Sequence, residues 1–190
     1  GKIQSQLIDD PILKIEIHFY GSSIEINPIS IAFIKGLLSN IVDNRINYIN
    51  AFSILNERGI ELINSIKPQV EKYANFIDTY VYTKNVVVNI GGSAFMEKEF
   101  RILKFMEHEI NFIPEGYILF LKNKDIPGVV GKVGTILGQS NINIAEYILS
   151  RPHKKENPIS IIKVDQNLDK ISFNKLNNID EILGVREFKV

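Results

Sequence analysis

Cysteine is missing from all 190 residues, which excludes disulfides, thiol catalysis and iron–sulfur ligation by cysteine and fits a reducing compartment. Net charge is missing as well. Lys and Arg (22) balance Asp and Glu (22), so no basic face is set out for nucleic acid. No apolar run approaches the roughly 18 residues that span a bilayer, and no membrane contact is expected. There is no signal-peptide pattern, and the chain starts on Gly1 instead of Met, which suggests a piece of a longer protein. What is present is 45% apolar and 23% charged residues, a globular composition with room for one medium domain or two small ones.

Periodicity divides the chain. In "ILKIEIHFY" (12–20), Ile15, Ile17 and Phe19 alternate with Lys14, Glu16 and His18, which predicts a half-buried strand. "NPISIAFIKGLLSNIV" (27–42) switches to helical spacing through Ile31, Ile34, Leu38 and Ile41, with Asn27 as N-cap and Pro28 in the first helical position. A short helix over 49–57 ends at Gly59. Strand patterns follow at 60–66, 76–83, 86–95, 100–106 and 109–113, with Lys84-Asn85 as a hairpin turn. Pro114-Glu115-Gly116 is the turn signal that separates a first domain, 1–114, from a second, 115–190. The second domain reads strand (117–123), helix (127–139), strand (142–150), strand (159–165), helix (169–178), strand (184–190), with "RPHKKENP" (151–158) as a hairpin loop. This βαββαβ order is the ferredoxin-like plan, and the whole chain is α+β: a mixed α/β domain followed by a ferredoxin-like one.

The stretch "NKDIPGVVGKVGTILGQSNINI" (123–144) holds Gly128, Gly131, Gly134 and Gly138. Their spacing, G-x-x-G-x-x-G-x-x-x-G, lacks the G-x-G of a dinucleotide fingerprint, and Val133 stands where a phosphate loop needs Ser or Thr. On a helical wheel, Val129, Val130, Val133, Ile136 and Leu137 fall within about 80–200° of Gly128, and the glycines lie at about 240–360°. One face is therefore apolar and the other nearly bare backbone. Each interior glycine costs about 1 kcal/mol against Ala in a helix, so that face needs a close neighbour: tight packing within the fold, a second subunit, or a ligand. At the helix start, Asp125 is a candidate cap. The first-turn N–H groups also form a carboxylate site, with Asn123 and Asp125 as acceptors for an ammonium group beside it. That combination suits a free amino acid.

These same residues carry a resemblance. Asn123-Lys124-Asp125-x-Pro127-Gly128-Val129-Val130-Gly131-Lys132-Val133-Gly134-Thr135-Ile136-Leu137-Gly138, followed by Asn141-Ile142-Asn143-Ile144-Ala145, resembles an ACT domain, most nearly the C-terminal one of bacterial and plant-type D-3-phosphoglycerate dehydrogenases. "DDPILKIEIHFYGS", "AFIKGLLSN", "INAFSILNERGIEL" and "GSAF…RIL" resemble the intervening, allosteric substrate-binding domain of the long form, with Gly1–Leu7 as the tail of a preceding helix. "MEKEF" (96–100) departs from the Gly-rich turn usual there.

The resemblance implies an NAD-dependent parent enzyme of L-serine biosynthesis, in cytoplasm or plastid stroma, under end-product control. In such a parent, L-serine or another small amino acid binds between two ACT domains whose sheets join side by side in a homodimer or homotetramer. Carried over by motif, Asn123 and Asp125 come from one subunit with Ile126, Pro127, Gly128, Val129 and Val130 lining the site, and Asn143 comes from the other. The family also implies an anion site in the first domain, for which Lys35, Arg58, Arg101 and Lys104 are the candidates. The catalytic residues and NAD fingerprint of the parent are not in this chain, so it needs no cofactor of its own and is expected to be inert, its catalytic domains lying elsewhere in the parent. His18 falls on a polar strand face, His108 in an exposed turn "EHE" and His153 in a loop, with no acid–base pair or metal set among them. Two other readings stand beside this one: the regulatory part of an iron–sulfur L-serine dehydratase, and a standalone ACT-type dimeriser without effector.

Overall fold

The structure is a computed structural model and describes all residues except 22–24, 43–44, 69–72, 74, 96–98 and 152–156. His153, most of the 151–158 loop and part of "MEKEF" lie outside the described residues. The chain forms two compact units, residues 1–107 with 111–114, and residues 108–110 with 115–190.

The first unit is built on a six-stranded sheet with helices on one face; the last strand, β6, is divided, its residues 108–110 grouping with the second unit. Its elements are α1 (Lys2–Ser5), β1 (Lys14–Tyr20), α2 (Ile26–Leu38), α3 (Ala51–Glu57), β2 (Glu61–Lys67), β3 (Phe76–Tyr82), β4 (Val87–Phe95), β5 (Glu99–Phe105) and β6 (His108–Phe112), and the strand order is β2-β1-β3-β4-β5-β6. β2 runs parallel to β1, and β3, β4 and β5 follow antiparallel. Alternation places Ile15, Ile17 and Phe19 on one face, all fully buried, and Ile34, Leu37 and Leu38 of α2 and Leu55 of α3 are buried as well. α1 is tied to the sheet by Gln4, whose buried amide donates to the Val88 carbonyl (3.0 Å) and accepts from the Thr79 hydroxyl (3.2 Å). The Lys84-Asn85 turn closes with Thr83 N–H on the Val86 carbonyl at 2.9 Å, and Gly59 ends α3 with φ +67°.

Two expectations shift. α2 starts at Ile26, two residues before Pro28, and is N-capped at Glu25, so Pro28 sits third in the helix; its missing N–H is among the first four, which have no intrahelical acceptor anyway. His108 is not in an exposed turn. The turn is Met106-Glu107, with Met106 at φ 53°, and His108 is buried at the start of β6.

The second unit is β7 (Tyr117–Asn123), α4 (Val129–Gln139), β8 (Ile144–Ser150), β9 (Ile159–Val164), α5 (Lys170–Asn177) and β10 (Ile182–Lys189), with sheet order β10-β7-β9-β8. This is the predicted ferredoxin-like βαββαβ unit. The central strand β7 is buried on both faces through Ile118, Leu119, Phe120 and Leu121, as its unbroken apolar run requires. Leu119, Leu121, Ile162, Val164 and Val185 meet Val129, Val133 and Leu137 of α4 and Leu176 of α5 in one core. Asp169 caps α5 by accepting from Ser172 N–H at 2.6 Å, and that bond holds its carboxyl below the usual range. Glu187 accepts from Leu168 N–H at 2.9 Å, but burial pushes its carboxyl above the usual range.

Two outcomes follow. A Cβ at Gly92 would sit 2.6 Å from the Arg101 carbonyl, a backbone atom that cannot swing away. Gly92→Ala should therefore lower the urea unfolding free energy by about 1–3 kcal/mol. For Glu187, the raised folded-state pKa means the ionised form strains the fold. Its favourable contribution is complete below the unfolded-state pKa and is lost as pH rises through the folded one. Glu187→Gln keeps the acceptor and should unfold at a higher temperature than wild type at pH 7, with the gap closing near pH 4 in a melting series.

Candidate functional site at the helix N-terminus of the second unit

The loop between β7 and α4 is built by a left-handed glycine. Gly128 holds φ +93° as N-cap of α4, so the helix begins at Val129 and Pro127 stays outside it. No side chain caps this helix. Asp125, a candidate cap in the sequence, is exposed and pairs with Arg151 Nη2 at 3.2 Å instead. The first-turn N–H groups thus remain open to an acceptor, at the positive end of the helix dipole. Lys124 N–H on the Glu181 carbonyl (2.8 Å) and Lys132 Nζ on Glu181 Oε1 (2.6 Å) anchor both sides of the loop. The Lys132 bond holds the Glu181 carboxyl below the usual range.

Around this opening, Ile126 and Val130 are about half exposed, at 48% and 46%. The wheel assigns Val130 to the core face, at its edge; the observed core stripe is narrower and consists of Val129, Val133 and Leu137. The opposite face is bare, as expected, and open. A Cβ at Gly131, Gly134 or Gly138 would meet no described atom within 4 Å. Packing within the fold therefore does not explain these glycines, and two of the three explanations remain.

Asn123 does not present itself as an open acceptor. It is 4% exposed, donates to the Lys124 carbonyl (2.9 Å) and accepts from Ser160 Oγ (3.4 Å), which in turn accepts from the Tyr147 hydroxyl (3.1 Å). Asn123 shapes the loop from beneath, while Asp125 faces solvent. Asn143 is exposed and donates to Asp165 Oδ2 at 2.9 Å. The ladder puts it at the far end of the unit: Ile144 is level, through Val164, with Tyr117, whereas Ser150 is level, through Ile159, with Lys122. α4 has 11 residues, a span of roughly 16 Å. One chain therefore brings Asp125 and the helix N-terminus together and leaves Asn143 at the opposite end.

The four cations named for the first unit do not converge. Lys35 on α2 lies over the Tyr48 ring at 4.2 Å, and Arg58 follows the end of α3. Register places Arg101 and Lys104 on the helix-free face of the sheet, Lys104 level with Asp78 through Gly91 and Arg101 level with Ser93. There Arg101 pairs with Glu99, and Lys104 bonds Asp78 Oδ2 and the Tyr80 hydroxyl, each at 3.2 Å. Burial lowers the Lys104 pKa, but Tyr80 and Asp78 more than offset it and the net direction is up.

An alignment on this face is not apparent from the sequence. Ser65, His18 and Glu16 are neighbours here: His18 Nδ1 meets Ser65 Oγ, and His18 Nε2 lies 3.4 Å from Glu16 Oε2. Glu16 is already engaged by Lys14 (2.6 Å) and the Tyr82 hydroxyl (3.1 Å), and the Lys14 bond first of all lowers its pKa. The set is a polar cross-strand ladder, with Glu16 committed to its cations and hydroxyl. Cross-strand register is the signal that reveals it, since Ser65 is 47 positions from His18. Among the described residues no His, Asp and Glu group could hold a metal ion, and no helix is long and apolar enough to cross a membrane.

These features define a class: a two-unit α+β chain whose ferredoxin-like half carries an open helix N-terminus beside a bare helix face. Comparison with known families then gives its place. A model of the D-3-phosphoglycerate dehydrogenase intervening domain matches residues 1–106, and the chain belongs to that family. It is 34% identical over 164 residues to the D-3-phosphoglycerate dehydrogenase of Archaeoglobus fulgidus, covering 85% of this chain and 31% of that protein. The proteins of the same name from Bacillus subtilis and Synechocystis are 28% and 30% identical over 98% of this chain, covering 36% and 34% of their own lengths. The chain thus spans about a third of the length of these relatives.

The open glycine face yields a prediction. With nothing to clash against, Gly134→Ala should stabilise the isolated chain by up to about 1 kcal/mol through helix propensity, read from chemical denaturation at micromolar protein. Sedimentation of the same variant should show weaker self-association than wild type if a second copy uses that face.

Proposed function

We propose that the chain is the regulatory region of an NAD-dependent D-3-phosphoglycerate dehydrogenase of L-serine biosynthesis, and that its second unit senses L-serine at an interface between two copies. The observation that carries this reading is the placement of Asp125 and Asn143 at opposite ends of α4 and β8, with an open glycine face between them. A two-fold axis across the middle of that face sets the Asp125 end of each copy against the Asn143 end of the other. Two equivalent sites result, each with elements from both chains. In each, the first-turn N–H groups near Val129 and Val130 receive the amino acid's carboxylate, Asp125 receives its ammonium, and the amide of Asn143 closes the site from the other copy. Ile126, Pro127 and Gly128 form the wall, and buried Asn123 holds the loop in place.

The match to the family's intervening domain supports this assignment, and the relatives' names supply the parent activity. NAD and the catalytic residues belong to the remainder of that parent, which works in the cytoplasm or a plastid stroma. Serine regulates by binding one interface geometry more tightly than another, and the catalytic domains respond to the change in orientation. Isothermal calorimetry tests the reading: wild type should take up L-serine in the micromolar to low-millimolar range, and Asn143→Ala should lose at least about tenfold in affinity, as expected for one hydrogen bond to a charged ligand. Wild type that takes up no serine over that range would refute it.

A further inference from the structure

The first unit has a free strand edge of unusual regularity. β2 is hydrogen-bonded to β1 on one side and has no strand on the other among the described residues. All seven of its residues, Glu61 to Lys67, keep an unbroken parallel register with β1. Proteins blunt free edges with bulges, very short strands, or charges and proline. β6 has five residues, and both β8 and β10 carry a register irregularity. β2 carries charge only at its ends, Glu61 and Lys67, with Pro68 just beyond them; its five residues between have no charge, bulge or proline, and Ile66 on it is 65% exposed.

The outward groups can be assigned. Glu61 N–H donates to the Leu13 carbonyl at 3.1 Å. In a parallel ladder this turns the N–H and C=O of Glu61, Ile63, Ser65 and Lys67 toward β1 and those of Leu62, Asn64 and Ile66 away from it. Three outward residues, evenly spaced about Asn64, can pair with the same three of a second copy running antiparallel. Asn64 then faces Asn64, and Leu62 faces Ile66 twice, an apolar contact that covers the exposed isoleucine. In this register Glu61 faces Lys67 at both ends, so the charges are complementary as well. A slip of two residues toward the C-terminus would set Leu62 opposite Pro68, which has no N–H to give.

We propose that the β2 edge is a self-association surface, on which two copies of this chain pair antiparallel about Asn64. The pairing is independent of the amino-acid site in the second unit, and its test does not involve serine.

Amide hydrogen exchange on the chain reads it directly. Raising the protein from about 10 µM to about 1 mM should slow exchange at Leu62, Asn64 and Ile66 by about tenfold or more, while Ile63 and Ser65 stay protected throughout. Glu61→Lys, which sets Lys against Lys, should abolish the slowing, and so should Ile66→Lys. Combining Glu61→Lys with Lys67→Glu should restore it, which a purely structural role for either residue would not do. Two results overturn the proposal. One is free exchange at the three outward amides at every concentration. The other is protection that survives both dilution and Glu61→Lys, which would assign the cover of this edge to the chain itself.

Discussion

The crossover from β7 through α4 to β8 is the constraint on which the second unit's chemistry depends. Two parallel strands need a connection that returns to the starting end, and a right-handed helical crossover supplies it. The return carries the chain from Asp125, at one end of the unit, to Asn143, at the other. Whatever these two residues do in common, they cannot do it within one chain. The same crossover leaves one face of α4 on the sheet and the other free, and the free face holds Gly131, Gly134 and Gly138. Helix propensity is given up at these three positions, although no described atom of the chain packs where their side chains would stand. In the proposed function, the close approach of a second copy offsets that loss.

The first unit solves a different problem. Its sheet has an apolar face under the helices and an opposite face that is polar across four strands. On that face a charge is held by a neighbour of opposite sign or by hydroxyls: Lys14 with Glu16, Glu16 with Tyr82, Lys104 with Asp78 and Tyr80. Asp78 is buried among these partners, with the Asn89 amide also donating to it. Half-buried charges satisfied in this way fix strand register more surely than they add stability. On such a face the cations Arg101 and Lys104 are already paired, with Glu99 and Asp78.

Much of this was legible in the sequence. Alternation at Ile15, Ile17 and Phe19 gave the strand and its buried side, and the βαββαβ order of the second unit followed from periodicity and turn residues. The details that differ have local causes. Asn27-Pro28 looks like a helix start, yet a Pro in the third position costs no hydrogen bond, so the helix extends to Ile26. Gly128 in a left-handed conformation delays α4 past Pro127. Val130 sits at the margin of the apolar arc, where wheel geometry alone does not decide burial. The ion pair of Asp125 with Arg151 and the bond of Asn143 to Asp165 join residues more than 20 positions apart. No local pattern encodes them, and the same holds for the buried Tyr147–Ser160–Asn123 chain.

A shared site has a signature that no single variant can give. Chains carrying Asp125→Ala and chains carrying Asn143→Ala should each bind little L-serine alone. In an equimolar mixture, exchange of subunits makes heterodimers in which one site carries both substitutions and the other carries neither. Serine binding should then return to about a quarter of the wild-type number of sites, with wild-type affinity, because about half the dimers are mixed and each holds one intact site. A mixture that binds no more serine than the two variants apart would contradict an effector site built from two chains.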